Sequence, residues 1–358
     1  MYMRTLSSGI RMAVASLLLV LPAVCLCFAD PLDQAARPSP LASRNLLLSV
    51  ARAGDRVIAV GQRGHIVYSD DRGVSWEQAV VPVSSDLTAV WFASARAGWA
   101  VGHDGVILHS ADGGKTWAKQ LDGHQANALM VADLERKVAS SGKYSERAKA
   151  LLAEATRYRD EGPDKPFLDV WFSDEKNGFA VGAYNLIFRT SDGGVHWESW
   201  FDRTDNPDFH HLNAIRGAGG EVYVVGERGR VLWLDTSVGR FVARPTPYAG
   251  SFFALAATSG YVTAFGMRGN AFRSGDKGLT WKKVDINGES DFTAACALED
   301  GRIVAVSQAG QVMVSRDHGL SFDTEKGIEP MVFAAVSGAG GDRVAVAGIQ
   351  GVRIQRLR

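Results

Sequence analysis

The stretch Gly98-Trp99-Ala100-Val101-Gly102, then Val106-Ile107-Leu108, then Ser110-Ala111-Asp112-Gly113-Gly114-Lys115-Thr116-Trp117 reads as a strand, a tight turn, a second strand and a polar turn closed by an aromatic. The chain repeats it. The pattern Ser/Thr-x-Asp-x-Gly-x-x-aromatic occurs as Ser69-Asp71-Gly73-Trp76, Ser110-Asp112-Gly114-Trp117, Thr190-Asp192-Gly194-Trp197, Ser274-Asp276-Gly278-Trp281 and Ser315-Asp317-Gly319-Phe322. A degenerate copy surrounds Asp235, with Phe241 one place late. The steps between aspartates are 41, 80, 43, 41 and 41 residues, and the 80 is one period plus an insertion of about 39. A fixed period of this length is the signature of a repeat architecture.

Working outward, the strand-turn-strand unit returns at Gly61, Gly102, Gly182, Gly226, Gly266, Ser307 and Gly348, seven times, each preceded by another apolar strand such as Leu87-Thr88-Ala89-Val90-Trp91-Phe92. Four short strands per period of about 41 residues is a propeller blade. The expected fold is therefore all-β, a seven-bladed β-propeller over residues 30–358. In the motif the Asp carboxylate accepts backbone N–H bonds, the Gly takes a left-handed turn position and the aromatic covers the turn. Asp71, Trp76, Asp112, Trp117, Asp192, Trp197, Asp276, Trp281, Asp317 and Phe322 are accordingly assigned to structure. The next motif would fall where the chain stops, so the seventh blade has three strands of its own. The stretch Pro31 to Ala42 is the candidate for its outer strand, since prolines suit an edge and pairing the termini would close the ring.

The first 29 residues carry Arg4 and Arg11, a short apolar run from Met12 to Val24 and Cys27-Phe28-Ala29 before Asp30, the layout of a cleaved secretory signal peptide. The expectation is export to the periplasm or medium, with no membrane span in the mature chain. The whole chain has 39 basic and 39 acidic residues, which argues against a nucleic-acid binder relying on bulk positive charge. Cys296 is the one cysteine past the signal, so no internal disulfide is expected, and its apolar neighbours mark a small hydrophobe, not a nucleophile.

The inserted residues, about 123–165, show helical spacing in Ala126-Leu129-Met130-Leu134-Val138 and Ala148-Leu151-Leu152-Ala155, broken by Ser140-Ser141-Gly142. A helical hairpin is expected, either packed on the rim or placed as a docking arm over the central funnel. The turns after the second strands share its face and present Arg63, His103, Asp104, Tyr184, Arg228, Arg268 and Gln308 as partner-binding candidates, the arginines suiting carboxylate capture. Adjacent His210 and His211 point to opposite sides of an extended segment and make a poor metal site. No phosphate loop, zinc cluster or nucleophile elbow is present, so no metal, cofactor or catalytic residue is assigned.

The repeated turn motif is the Asp box, or BNR repeat, and the chain resembles two groups that carry it. One is the sialidase-like glycoside hydrolases, which implies the alternative reading of an exported glycosidase or a carbohydrate-binding propeller. The pairs Phe188-Arg189 and Phe272-Arg273 run straight into boxes and lack the sialidase Arg-Ile-Pro-type motif, and Glu221, Glu227 and Asp104 show no derivable carboxylate pairing. The other is the photosystem II stability/assembly factor family, whose pattern resembles Gly98 to Trp117 and Gly178-Phe179-Ala180-Val181-Gly182 before Thr190 to Gly194. That resemblance implies a seven-bladed, exported, non-enzymatic scaffold that holds a membrane-protein partner through an arginine-rich surface, matched here to Arg63, Arg228 and Arg268. Without a lipobox or thylakoid signal, it implies a bacterial periplasmic relative serving an envelope transporter.

Overall fold

Every second strand of the repeat is apolar at consecutive positions because it is covered on both sides. In the computed structural model, which describes residues 30–140, 145–286 and 288–358, Gly98–Gly102 and Gly178–Gly182 are buried at every residue. Strands sandwiched between sheets lose the in-out alternation of a half-solvated strand. The signal peptide expected at 1–29 lies outside the described residues.

Seven antiparallel sheets arise in chain order. Six have four strands; their innermost strands are Leu47–Ala53, Leu87–Phe92, Phe167–Phe172, Leu212–Ala218, Phe252–Thr258 and Phe292–Ala297. The seventh, Phe333–Gly338, Arg343–Gly348 and Gly351–Arg356, has three. Each innermost strand packs against the next, and Leu47–Ala53 packs against Phe333–Gly338, which closes the ring. One buried cluster joins Leu47, Val50 and Val57 of the first blade to Ala335, Ala345 and Val352 of the seventh. The fold is the seven-bladed propeller read from the repeat.

The N-terminal segment does something other than complete the last blade. Leu32 is buried between blades one and two. The Ala36 amide donates to Val81 O at 3.0 Å, Ser84 N to Pro31 O at 2.8 Å, and the Gln78 side chain bonds the backbone at Arg37 and Ser39. These prolines and polar residues therefore run beside the outer strand of blade one, and only Ala42–Arg44 reaches the start of Gly351–Arg356. Ring closure rests on the inner strands.

The repeated Val-Gly has a steric cause. A Cβ at Gly61, Gly102, Gly182, Gly226, Gly266 or Gly348 would lie 2.1–2.6 Å from the carbonyl oxygen that precedes the blade's innermost strand. In all seven blades that same carbonyl accepts the next amide, from Gln62, His103, Ala183, Glu227, Met267, Gln308 and Ile349. In those six blades the backbones lie too close for a side chain, whereas blade six forms the same bond with Ser307 in place.

The boxes are hydrogen-bonded turns. In blade one Ser69 Oγ donates to Asp71 Oδ1 at 2.8 Å and accepts from Gly73 N at 2.8 Å, while Asp71 accepts from Ser75 N at 2.9 Å and Ser75 Oγ at 2.5 Å. The pattern recurs with Thr116, Thr280 and Ser321, and with the His196 ring in blade three. The hydroxyl before the aromatic is thus part of the motif in four of the five boxes, at Ser75, Thr116, Thr280 and Ser321. These donors hold the carboxyls at about 2 against an ordinary 3.8: Asp71 and Asp276 through the hydroxyls of Ser75 and Thr280, and Asp192 through the His196 amide. At Asp112 and Asp317 burial opposes the shift, but the hydroxyls and amides outweigh it.

The helices are Gly123–Ser140 (α1) and Ser145–Glu161 (α2). Asp122 opens α1 as a reciprocal cap: its carboxylate accepts from Gln125 N and Gln125 Oε1 accepts from Asp122 N, both at 3.1 Å. Among the described residues no helix is long and apolar enough to cross a membrane.

Two tests follow from the turn and box geometry. Gly102→Ala forces the 2.1 Å clash with Asp86 O and should cost about 1–3 kcal/mol by overpacking; an unchanged denaturant midpoint would refute the close-approach account. Box carboxyls with lowered pKa stabilise the fold above their unfolded value, and this is lost as pH falls from about 4 toward 2. Melting temperature should drop across that window, and the double variant Asp71→Asn with Asp276→Asn should show a lower neutral-pH melt and a shallower acid loss.

Candidate functional site

The turns between second and third strands all open on one face, because antiparallel strands place them at the end opposite the boxes. Each is a tight turn, a single 3-10 turn in blades one to three, and the second residue after the strand-ending glycine sits in the left-handed region in five blades: Arg63 (φ 56°), Asp104 (57°), Tyr184 (52°), Arg228 (53°) and Arg268 (54°). A side chain there clashes with its own backbone, at roughly 1 kcal/mol or more for a non-glycine residue. Three of the seven turns keep arginine at this cost.

Arg63, Arg228 and Arg268 are exposed, and among the described residues their guanidinium groups make no hydrogen bond or ion pair. His103 and Gln308 reach the same face one turn position earlier, and both are exposed. Asp104 accepts from Ser85 Oγ at 2.6 Å and so is already engaged. Tyr184 is 43% exposed and meets the His211 ring edge-on at 4.6 Å. The structure thus gathers the predicted residues on one rim: Arg63, Arg228 and Arg268 with free guanidinium groups, His103 and Gln308 exposed beside them, and Asp104 and Tyr184 already engaged.

Three of these turns are secured by contacts between residues far apart in sequence. The Arg63 amide donates to Asp86 Oδ1 at 2.7 Å, the Arg268 amide to Asp291 Oδ1 at 2.8 Å, and the Tyr184 amide to His211 Nδ1 at 2.9 Å. Each acceptor precedes the innermost strand of the following blade, so every lock crosses a blade boundary. The only available signal was an acceptor at that repeat position. His211 is thereby an acceptor for a turn, and His210 lies 3.1 Å from Arg230. Among the described residues no three His, Cys, Asp or Glu side chains converge for a metal.

The hairpin is no lid over the funnel. Met130, Leu134, Leu151, Ala155 and Tyr158 are buried in one cluster with Leu121, Phe167, Phe188 and Phe201, which makes the helices part of the core of blades two and three. Its charges are spent locally. Lys137 Nζ bridges Asp133 at 2.6 Å and Asp202 at 2.8 Å, Arg157 pairs with Glu154 and Glu161, Arg136 pairs with Asp133, and Arg147 donates to Thr204 O at 3.5 Å. The hairpin borders the arginine face and presents Arg157 and Lys165 beside Tyr184 and His211.

At the opposite end of the central channel, Arg52, Trp91, Arg216 and Cys296 line a cavity of about 410 Å³. Burial holds the Asp169 carboxyl above its usual range although Arg216 contacts it. Cys296 is half-buried on this channel and packs against the core cluster of blades six and seven, and burial pushes its thiol up to about 12, which leaves no thiolate for nucleophilic attack. Glu221 is bound by Lys277 and the Trp233 indole, and Glu227 by the His211 amide. With Asp104 held by Ser85, these three carboxylates stand on separate blades or opposite faces and do not flank a common sugar site.

Comparison with known proteins then adds a lineage. The sequence pattern of the family described as photosynthesis system II assembly factor YCF48 matches residues 34–134 and 159–314. The photosystem II assembly protein Ycf48 of Synechococcus sp. strain JA-2-3B'a(2-13) is 29% identical over 178 residues, 47% of this chain and 52% of that one. The photosystem II assembly lipoprotein Ycf48 of Synechococcus sp. strain CC9902 is 27% identical over 206 residues, 54% of this chain and 58% of the relative. The chain therefore matches little more than half the length of these curated relatives. Among solved structures, YCF48 bound to D1 peptide superposes with TM-score 0.63 at 15% identity, covering 91% of this chain and 96% of that one. YCF48 from Cyanidioschyzon merolae gives 0.63 at 16% identity, covering 90% and 98%. These likenesses establish the shared propeller.

Removing a cross-blade lock should loosen one turn and leave the ring intact. Asp291→Ala leaves the Arg268 amide without its acceptor and should cost about 1 kcal/mol, with faster hydrogen exchange at Arg268 and unchanged exchange at the buried second strands. Equal protection of Arg268 in variant and parent would contradict the lock.

Proposed function

The chain belongs to the photosynthesis system II assembly factor YCF48 family, and from that premise we propose that it is a non-enzymatic, exported scaffold that holds an acidic segment of a membrane protein during envelope assembly. The observation that carries this reading is the set of three unpaired guanidinium groups, Arg63, Arg228 and Arg268, kept at one strained repeat position around one face. Backbone strain retained for a particular side chain points to use of that side chain. Guanidinium suits carboxylate-bearing segments through bidentate bonds. That a solved YCF48 carries a D1 peptide, and that a curated relative is named a lipoprotein, support peptide binding and export as the reading for this chain. A periplasmic location and an envelope transporter as partner are the finer form of the proposal; neither nucleic acid nor a cofactor has a part in it.

Substituting Arg63, Arg228 and Arg268 together by Ala should abolish capture of a membrane protein from solubilised envelopes, while parent capture weakens as salt rises toward about 0.5 M, where screening is short-ranged. Quantitative mass spectrometry reads both. Equal capture by the triple variant, or salt-independent capture by the parent, would overturn the assignment. Deleting the hairpin is the poorer test, since it would strip Met130 and Tyr158 from the core.

A further inference from the structure

Blade four lacks a box, and that absence leaves a hole. In the five boxed blades the motif's glycine seats on neighbouring atoms, Gly73 on Ile354 and Gly278 on Arg244 of the preceding blade. The corresponding turn of blade four, around Gly239, is shorter, and a Cβ on Gly239 would have nothing within 4 Å; the same holds for Gly220 in the adjacent turn. Between blades three and four, on the box face, lies a cavity of about 600 Å³ with apolar walls that include Trp171, Phe179 and Leu234.

The cavity also holds cations with no counter-charge. Arg189 and Arg203 lie over the Trp200 ring, their guanidinium carbons 5.3 and 5.0 Å from its centroid. Neither side chain makes a hydrogen bond or ion pair among the described residues, and both are half-buried. The Trp200 indole N–H is itself buried without an acceptor. The acid that lines the cavity, Glu221, is already committed to Lys277 at 2.7 Å and to Trp233. In the next blade the equivalent arrangement, Arg244 over Trp233 at 4.3 Å, is covered by the box turn at Gly278. Trp200 is itself buried, and no box glycine seats on Arg189 or Arg203.

We propose that this gap is a binding site for an organic carboxylate on an apolar or aromatic body, the carboxylate received by Arg189 and Arg203 and the body lodged against Trp171 and Phe179. Two forked donors fixed against one ring are preorganised for a planar anion, and an apolar cavity of this size with a few convergent polar groups suits a ligand no larger than one or two residues. The carboxylate comes either from a free small acid or from the C-terminus of a chain. The site opens on the face opposite the arginine turns, so its failure would leave the docking proposal standing.

The test is calorimetric titration of the full chain with indole-3-propionate and with its neutral amide. A tripeptide ending in phenylalanine, as free acid and as C-terminal amide, forms the second pair. At least one acid should bind about tenfold or more tighter than its amide, the ratio a charge-assisted hydrogen bond supplies; which acid wins identifies the source. Arg189→Ala with Arg203→Ala should remove the preference for acid over amide. Thr236→Trp, which keeps both arginines and fills the mouth, should remove binding of both members of a pair, with melting temperature confirming that each variant folds. Acids that bind no better than amides, or acid binding that survives either variant, would overturn the site.

Discussion

The structure depends on one close approach, repeated around the ring. Where the second strand of a blade ends, its backbone meets the carbonyl that leads into the innermost strand, and the next amide bonds to that carbonyl in all seven blades. Six glycines stand where a Cβ would come within 2.1–2.6 Å of that oxygen. The bond fixes the entry angle of each inner strand, and the inner strands touching in a circle are what close the propeller. Closure by the innermost layer explains how a three-stranded seventh blade is tolerated, with residues 31–42 free to pack elsewhere.

The two faces then follow different logic. On the box face, turns are locked within each blade by Ser/Thr, Asp and the hydroxyl before the aromatic, and the box glycine seats on the preceding blade. On the other face, turns are locked across blades by Asp86, Asp291 and His211. Cross-blade locks leave the side chains of the turn residues uncommitted. That is why Arg63 and Arg268 keep free guanidinium groups, and why the box aspartates, with both oxygens engaged, are not available.

Irregularities in a regular ring carry information. The missing box of blade four leaves a cavity beside the buried Trp200 ring and two half-buried guanidinium groups, where in the next blade a box turn seats on Arg244. The inserted hairpin, in contrast, is fully absorbed: it buries Met130 and Tyr158 and pairs its own charges, so it acts as an extension of the core between blades two and three.

Blade number, box chemistry and the existence of the hairpin were legible in the chain itself, because each is set by short-range rules: a period near 41 residues, turn residues at fixed offsets and helical spacing of Ala126, Met130 and Leu134. The face on which Arg63, Arg228 and Arg268 gather also followed, since strand direction alternates within each blade. What only the tertiary structure decided concerns contacts between residues far apart in sequence. The path of residues 31–42, the seating of the hairpin on blade three, the locks from Asp86 and Asp291, and the meeting of Arg189 and Arg203 over Trp200 all depend on which surfaces remain uncovered once the ring has closed. Local periodicity determines the blade, whereas the space left between blades is a property of the closed circle.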